Sequence, residues 1–105
     1  MNQFLKPILL VLIVSSCQNR TELENIGQHY QKNNDYKSLQ KVAELIDLDV
    51  DTLFVKNILG EPINMGFDYR YLVDSVGENG CVIGAVFHIN EFGKIDQKWV
   101  DEICE

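Results

Sequence analysis

Apolar residues recur every three or four positions from residue 36 to residue 59, and at every second position from residue 67 onward. The first spacing predicts helices with one buried face, and the second predicts strands, whose successive side chains point to opposite faces. The period changes at Gly60 and Pro62. The pattern therefore predicts an α+β fold of two layers, αα-βββ, in which two helices pack on a three-stranded antiparallel sheet.

Two helices are predicted before this change of period. The first begins at Tyr36 and places its apolar residues on one stripe, formed by Leu39, Val42, Ala43 and Ile46. The second covers residues 52–59, with Asp51 as its N-cap. Gly60 can adopt the left-handed conformation that closes a helix, and Pro62 cannot continue one, so the second helix is expected to end there.

The residues before Tyr36 carry a weaker helical signal. Residues 21–24 have the sequence of a capping box, and apolar residues follow at helical spacing (Leu23, Ile26 and Tyr30). Gly27 counts against a helix, because glycine costs about 1 kcal/mol relative to alanine in a helix interior. Residues 32–35 have the composition of a turn. Residues 17–35 are therefore predicted to be a tether with at most a short helix, and residues 36–105 to be the folded domain.

The alternating part of the chain predicts three strands. The first has Phe67, Tyr69, Tyr71 and Val73 on one side, and a long turn over residues 74–80 follows it. Residues 81–89 form the most apolar strand, which is expected to be central. The aromatic residues of these strands, including Trp99, are expected in the core, because so short a chain needs its large side chains inside.

A three-residue loop is predicted to connect the last two strands. With Gly93 in the left-handed conformation, Asn90 would pair with Lys94. Continued without interruption, this register places Ile89 opposite Ile95, Phe87 opposite Gln97, Ala85 opposite Trp99, and Cys81 opposite Ile103. Both strands would then turn an apolar face to the same side, which supports the hairpin.

The first residues resemble the export signal of a bacterial lipoprotein. An apolar run follows Lys6 and ends in Ser15, Ser16 and Cys17, as a lipobox does. The resemblance implies that residues 1–16 are a signal peptide and that Cys17 carries a diacylglyceryl thioether. The run is too short for a spanning helix, which needs roughly 20 apolar residues. Two or three acyl chains would hold the protein on the membrane.

The net charge of the chain argues against some classes of binding partner. The chain has 9 basic and 16 acidic residues, and removing residues 1–16 takes away only Lys6, which leaves 8 basic residues against the same 16 acidic ones. This net charge of −8 over 89 residues, without a basic cluster, argues against nucleic acid and against an anionic lipid surface. Gln18 follows the lipobox cysteine where an aspartate would resemble an inner-membrane retention signal. The expected location is the outer membrane, facing the periplasm.

Cys81 and Cys104 leave two alternatives open. The cell envelope permits disulfides, and a bond would stabilise a small domain. The uninterrupted register, however, places Cys104 on the opposite face from Cys81 unless the strand ends near Val100, and cysteines with Cα atoms more than about 7 Å apart cannot be joined. A nucleophilic Cys81 would require a histidine and an acid beside it, and no motif places them there.

No catalytic or cofactor motif is found in the sequence. Asp47, Asp49 and Asp51 alternate as in the first half of a calcium loop, but Thr52 and Ile58 occupy the positions of its required glycine and glutamate. His29 and His88 lack a partner at ligand spacing, so structural roles are favoured for both. We therefore expect no metal, no cofactor, no small-molecule substrate and no enzymatic activity.

The chain from about Tyr36 to Val100 resembles the SmpA/OmlA domain, the small lipoprotein domain of the outer-membrane β-barrel assembly machinery and its relatives. The residues that carry the resemblance are Asp51, Val55, Leu59, Gly60 and Pro62, then Tyr69-Arg70-Tyr71, Val86-Phe87-His88-Ile89 and Phe92-Gly93-Lys94-Ile95. The family's usual small-residue and threonine entry to the second helix is here Val50-Asp51, and the cysteine pair is not part of the shared pattern. The resemblance implies a non-catalytic envelope lipoprotein that binds another protein in outer-membrane protein assembly or envelope integrity. The alternative is an inhibitor or immunity lipoprotein that captures a basic effector through its acidic surface.

Overall fold

The computed structural model describes residues 22–104, in three helices and four strands. These are α1 (residues 22–33), α2 (Tyr36–Leu45), α3 (Thr52–Leu59), β1 (Ile63–Asn64), β2 (Asp68–Val76), β3 (Val82–Ile89) and β4 (Ile95–Ile103). The strands form one antiparallel sheet in the order β1-β2-β3-β4. The predicted α+β class is confirmed. The predictions for residues 1–21, including the signal peptide, Cys17 and the start of the capping box, lie outside the described residues.

The prediction of three strands is wrong by one short strand. After Pro62 the chain turns back and pairs Ile63 with Arg70 and Asn64 with Tyr69. A strand of two residues leaves no alternation in the sequence. The turn predicted over residues 74–80 is shorter than expected, because β2 continues to Val76.

Helix α1 is longer than the sequence indicated. It runs to residue 33, and Asn34, with a φ of 52°, connects it to α2. Gly27 is buried where α1 crosses α3, and a Cβ built there would lie 2.2 Å from the backbone oxygen of Ile58. The glycine that counted against the helix is therefore what allows the two helices to approach closely.

Helices α2 and α3 begin where the sequence predicts, and α3 also ends where it predicts. Asp35 and Asp51 are their N-caps, and each carboxylate accepts a backbone N–H three residues further on, at 3.0 Å from Ser38 and 2.8 Å from Phe54. Hydrogen bonds from Ser38 and His29 outweigh the effect of partial burial and lower the pKa of Asp35. Helix α3 ends at Gly60, whose φ of 86° is in the left-handed region.

The core lies between the helices and one face of the sheet. Its fully buried side chains come from all layers: Leu39, Val42, Ile46, Val55, Phe87 and Ile95. Tyr69 and Tyr71 are buried as predicted, whereas Phe67 precedes β2 and is exposed. Burial raises the pKa of Tyr71, whose hydroxyl donates to the carbonyl of Gly60 at 2.9 Å. The alternating pattern thus identified the buried face of the sheet.

The predicted β3–β4 register is correct at the turn and wrong beyond it. Gly93 has a φ of 74°, Asn90 pairs with Lys94, and Ile89 faces Ile95. A β-bulge then shifts the pairing by one residue. Beyond this bulge the predicted pairs are replaced by Phe87–Lys98, Val86–Trp99, Ala85–Val100 and Val82–Ile103.

We predict that Gly27→Ala destabilises the domain. Alanine favours a helix interior over glycine by about 1 kcal/mol, but the added carbon would meet a backbone atom that cannot rotate away, at a typical cost of about 1–3 kcal/mol. The net effect expected is a loss of up to about 2 kcal/mol in the free energy of unfolding, measured by urea denaturation. Gln28→Ala, at the exposed neighbouring position, is the control and should change stability little. A Gly27→Ala variant more stable than the parent would contradict the close helix contact.

Candidate functional site

The shifted register places β4 side chains opposite to the prediction. Trp99 pairs with Val86, on the sheet face turned away from the core, and is 46% exposed. Lys98 instead lies on the helix side, where its Nζ donates to the carbonyls of Ala43 at 2.6 Å, Glu44 at 3.3 Å and Ile46. An ammonium at the carbonyl end of α2 is favourable for the helix dipole. The expectation that Trp99 belongs to the core is therefore wrong.

The open face of the sheet carries an apolar surface, which we call the open-face patch. It is formed around the buried Val86 by Ile63, Leu72, Val82, Trp99 and Ile103. The side chains of Leu72 and Ile103 meet over Gly84, since a Cβ there would lie 3.0 Å and 2.9 Å from their methyl groups. The patch thus crosses β2, β3 and β4, with two charged residues on the same face: Arg70 between Ile63 and Val86, and Asp101 between Trp99 and Ile103. None of the six apolar residues belongs to the core cluster that the described helices form with the sheet.

Charged residues border this patch at the hairpin end of the sheet. Asp68 is buried, and its carboxylate accepts from Arg70 Nε at 3.2 Å. His88 Nδ1 lies 2.6 Å from the carboxylate of Asp96, the residue inserted by the bulge. The surface therefore combines apolar and charged side chains, as protein interfaces commonly do.

The same register brings the two cysteines together. Since Val82 pairs with Ile103, the next pair outward is Cys81 and Cys104, and the structure joins them in a disulfide with Cα atoms 5.2 Å apart. The carboxylate of Glu102 accepts the backbone N–H groups of Asn79 at 3.1 Å and Cys81 at 3.3 Å. The two sulfurs and Glu102 lie within 4.8 Å of one another, but sulfurs bonded to each other offer no thiolate for a metal. The β3–β4 end is thus closed by a covalent bond.

The remaining predicted residues have structural positions. Val55 and Leu59 are buried on α3, Gly60 and Pro62 follow it, and Gly93 forms the hairpin turn. His29 Nδ1 contacts the carboxylate of Asp35 at 3.1 Å and the hydroxyl of Ser38 at 2.8 Å, so it supports the start of α2. In the described part of the chain, these residues do not converge on one site.

The open-face patch was not predicted from the sequence, although the two cysteines contain the information needed to predict it. The residues of β4 do not alternate cleanly between apolar and polar, so the register had to be extrapolated from the hairpin loop. Requiring Cys81 to face Cys104 would have demanded one inserted residue. That insertion is what turns Trp99 outward.

Comparison with known proteins gives no relative. No protein-family model matches the chain, and neither a curated protein nor a solved structure is detectably similar to it.

None of the helices in residues 22–104 is long and apolar enough to cross a membrane.

We predict that the disulfide stabilises the domain by about 3 kcal/mol, the value expected from the chain entropy of a closed loop of this length. The double variant Cys81→Ser and Cys104→Ser should lower the free energy of unfolding by that amount. Reductant should lower the stability of the parent protein and leave the double variant unchanged, as measured by urea denaturation. Equal stability of the oxidised parent and the double variant would contradict the prediction.

Proposed function

We propose that this chain is a lipid-anchored protein of the bacterial cell envelope whose α+β domain binds another protein without catalysing a reaction. The anchor is supported by the apolar run that ends in Ser15, Ser16 and Cys17. Binding is supported by the open-face patch, which carries an exposed tryptophan on a rigid sheet. Tryptophan is enriched among the residues that dominate protein interfaces. The patch is the observation on which the binding role depends.

The location we propose is the outer membrane, facing the periplasm. Gln18 after the lipobox cysteine supports it, as does a disulfide, which forms in oxidising compartments. The resemblance of Asp51, Gly60, Pro62 and the following strands to the SmpA/OmlA pattern suggests a role in outer-membrane protein assembly or in envelope integrity.

A second candidate function is that of an immunity lipoprotein, which binds and inhibits a basic effector. The acidic excess of the chain favours it, because opposite charge speeds association and gives specificity. In this case, neutralising the exposed aspartates and glutamates should abolish protection against the effector. Barrel-assembly components would then be missing from the captured proteins.

The anchor predicts a modified amino-terminal residue. Mass spectrometry of the membrane-bound protein should show cleavage before Cys17 and a diacylglyceryl group on its sulfur. Cys17→Ala should abolish both, because the sulfur is the site of the thioether. The Cys81→Ser and Cys104→Ser double variant is the control and should keep the lipid. A protein released by envelope fractionation with an unmodified thiol at its processed start would reject the anchor.

The binding role predicts that Trp99 is required for capture of a partner. Pulldown from detergent-solubilised envelopes should recover a protein partner with the parent chain and lose it with Trp99→Ala, since truncation of a central aromatic typically costs about 2 kcal/mol or more. Phe92→Ala removes another exposed aromatic, in the hairpin loop, and should retain the partner. Recovery of no barrel-assembly component, with normal barrel insertion in a deletion strain, would reject the assembly role. Capture that is indifferent to Trp99 would reject the open-face patch.

A further inference from the structure

The two long edges of the sheet differ in how their backbone groups are used. At the β2 edge, β1 pairs with the first part of the strand, and the turn between α1 and α2 covers the next part. There Tyr30 donates its hydroxyl to the carbonyl of Leu72 at 2.6 Å, and Asp74 donates its N–H to Asn34 at 3.0 Å. This edge is therefore occupied. An incoming strand would have to displace part of the fold.

At the β4 edge only the first residue is covered. Ile95 exchanges backbone hydrogen bonds with Asp49 and Val50, at 2.7 and 2.8 Å. Beyond it, β4 is the last strand in the sheet order, and no described segment pairs with it up to Ile103. Such an edge presents unpaired N–H and C=O groups on alternate residues.

The register identifies those residues. Ile89 N–H donates towards β2, to Phe67, and Asn90 N–H donates to Lys94, so the even-numbered residues of β3 point towards β4. Their partners Gln97, Trp99, Asp101 and Ile103 are bonded to β3. The residues between them, Lys98, Val100 and Glu102, direct their backbone groups outward. The Glu102 N–H is already bound by the carboxylate of Asp101 at 2.7 Å, which leaves Lys98 and Val100 available.

A groove runs along this edge between β4 and α2. Its first part is lined by Gln40, Ala43, Glu44, Lys98, Trp99 and Val100. A second part continues towards Tyr36, Ile83 and the β2–β3 turn. A strand lying in the groove would direct alternate side chains towards α2 and towards the Trp99 face. The helix side of the groove is partly apolar, with Ala43, Val100 and Ile83.

The charges around the groove are acidic. Glu44 on α2 and Asp101 on β4 are exposed, and Glu78 lies at the far end. Lys98, the one basic residue among those lining it, is half-buried, and its ammonium is bound by three carbonyls at the end of α2. Trp99 adds an aromatic face that attracts an ammonium or guanidinium group. A second copy of this acidic chain is disfavoured here, because like charges would meet across the new pair of strands.

We propose that the α2–β4 groove binds an extended segment of a partner protein, rich in lysine or arginine, which adds to β4 as a fifth strand. Backbone hydrogen bonds to Lys98 and Val100 supply the pairing, apolar side chains lie against α2, and basic side chains lie beside Trp99 and Asp101. This inference rests on the proposed binding function and names the part of the partner that is recognised. Trp99 lies at the border between the groove and the open-face patch, so it contributes to both surfaces.

The test uses the purified full-length protein in detergent micelles and a short peptide of alternating valine and lysine. NMR hydrogen exchange should show that the amides of Lys98 and Val100 become protected when the peptide is added. The same peptide with N-methyl groups on alternate residues cannot pair with an edge and should leave both amides unprotected. A peptide with glutamate in place of lysine should bind about tenfold more weakly or worse, since its charges repel those of the groove.

Val100→Pro is the matched variant for the protein. Proline removes an N–H that points outward, so the hydrogen bonds between β3 and β4 are kept. Peptide affinity should fall about tenfold or more, whereas with Val100→Ala, which shortens the apolar side chain but keeps the N–H, it should fall much less. The two variants should unfold cooperatively and at similar temperatures, which shows that the domain is intact in both. If Val100→Pro does not fold, the N-methylated peptide decides the question alone.

Several results would overturn the proposal. One is equal binding of the methylated and unmethylated peptides, and another is stronger binding of the glutamate peptide than of the lysine peptide. A third is protection of the Lys98 and Val100 amides without any peptide, rising with protein concentration as the chain dimerises. If the peptide fails but partner capture from envelopes still requires Trp99, the groove is wrong and the proposed function remains. If the peptide protects both amides but the anchor and the capture fail, the groove remains and the proposed function is wrong.

Discussion

The pairing of β3 with β4, offset by one inserted residue, is the constraint on which most of this structure depends. Because side chains alternate with a period of two, a shift of one position exchanges the two faces of a strand. With Asp96 inserted, Lys98 turns to the end of α2 and Trp99 turns outward. The insertion also places Cys104 beside Cys81. One residue thus determines a helix contact, an exposed aromatic and a disulfide.

The helical layer depends on contacts of a different kind, between backbones. Gly27 allows α1 to approach the carbonyl of Ile58, and Gln31 Nε2 donates to that same carbonyl at 3.0 Å. The hydroxyl of Tyr30 donates to the β2 edge of the sheet. The rings of Tyr30 and Tyr71 pack edge to face, with their centroids 6.3 Å apart. Burial raises the pKa of Tyr30. Helix α1 therefore contributes Leu23 and Tyr30 to the core of the domain.

Much of the fold could be predicted because its signals are local. Asp51 and Gly60 delimit α3 through capping and backbone conformation, and the alternation of Tyr69 and Tyr71 identifies the buried face of β2. Strand β1 could not be predicted, since two residues show no period. The face of Trp99 could not be predicted either, because a bulge depends on the pairing of two strands and not on either sequence alone. The groove along β4 follows from that register, so it was equally hidden.

The disulfide between Cys81 and Cys104 also changes how the sheet moves. A strand at the edge of a sheet ordinarily opens locally, and its amides then exchange with solvent. Here β4 is fastened by backbone bonds to Asp49 and Val50 at its beginning and by a covalent link just past Ile103. Neither end of β4 can separate from the sheet by itself. The outermost strand should therefore open only together with the centre of the domain, as part of one cooperative unit.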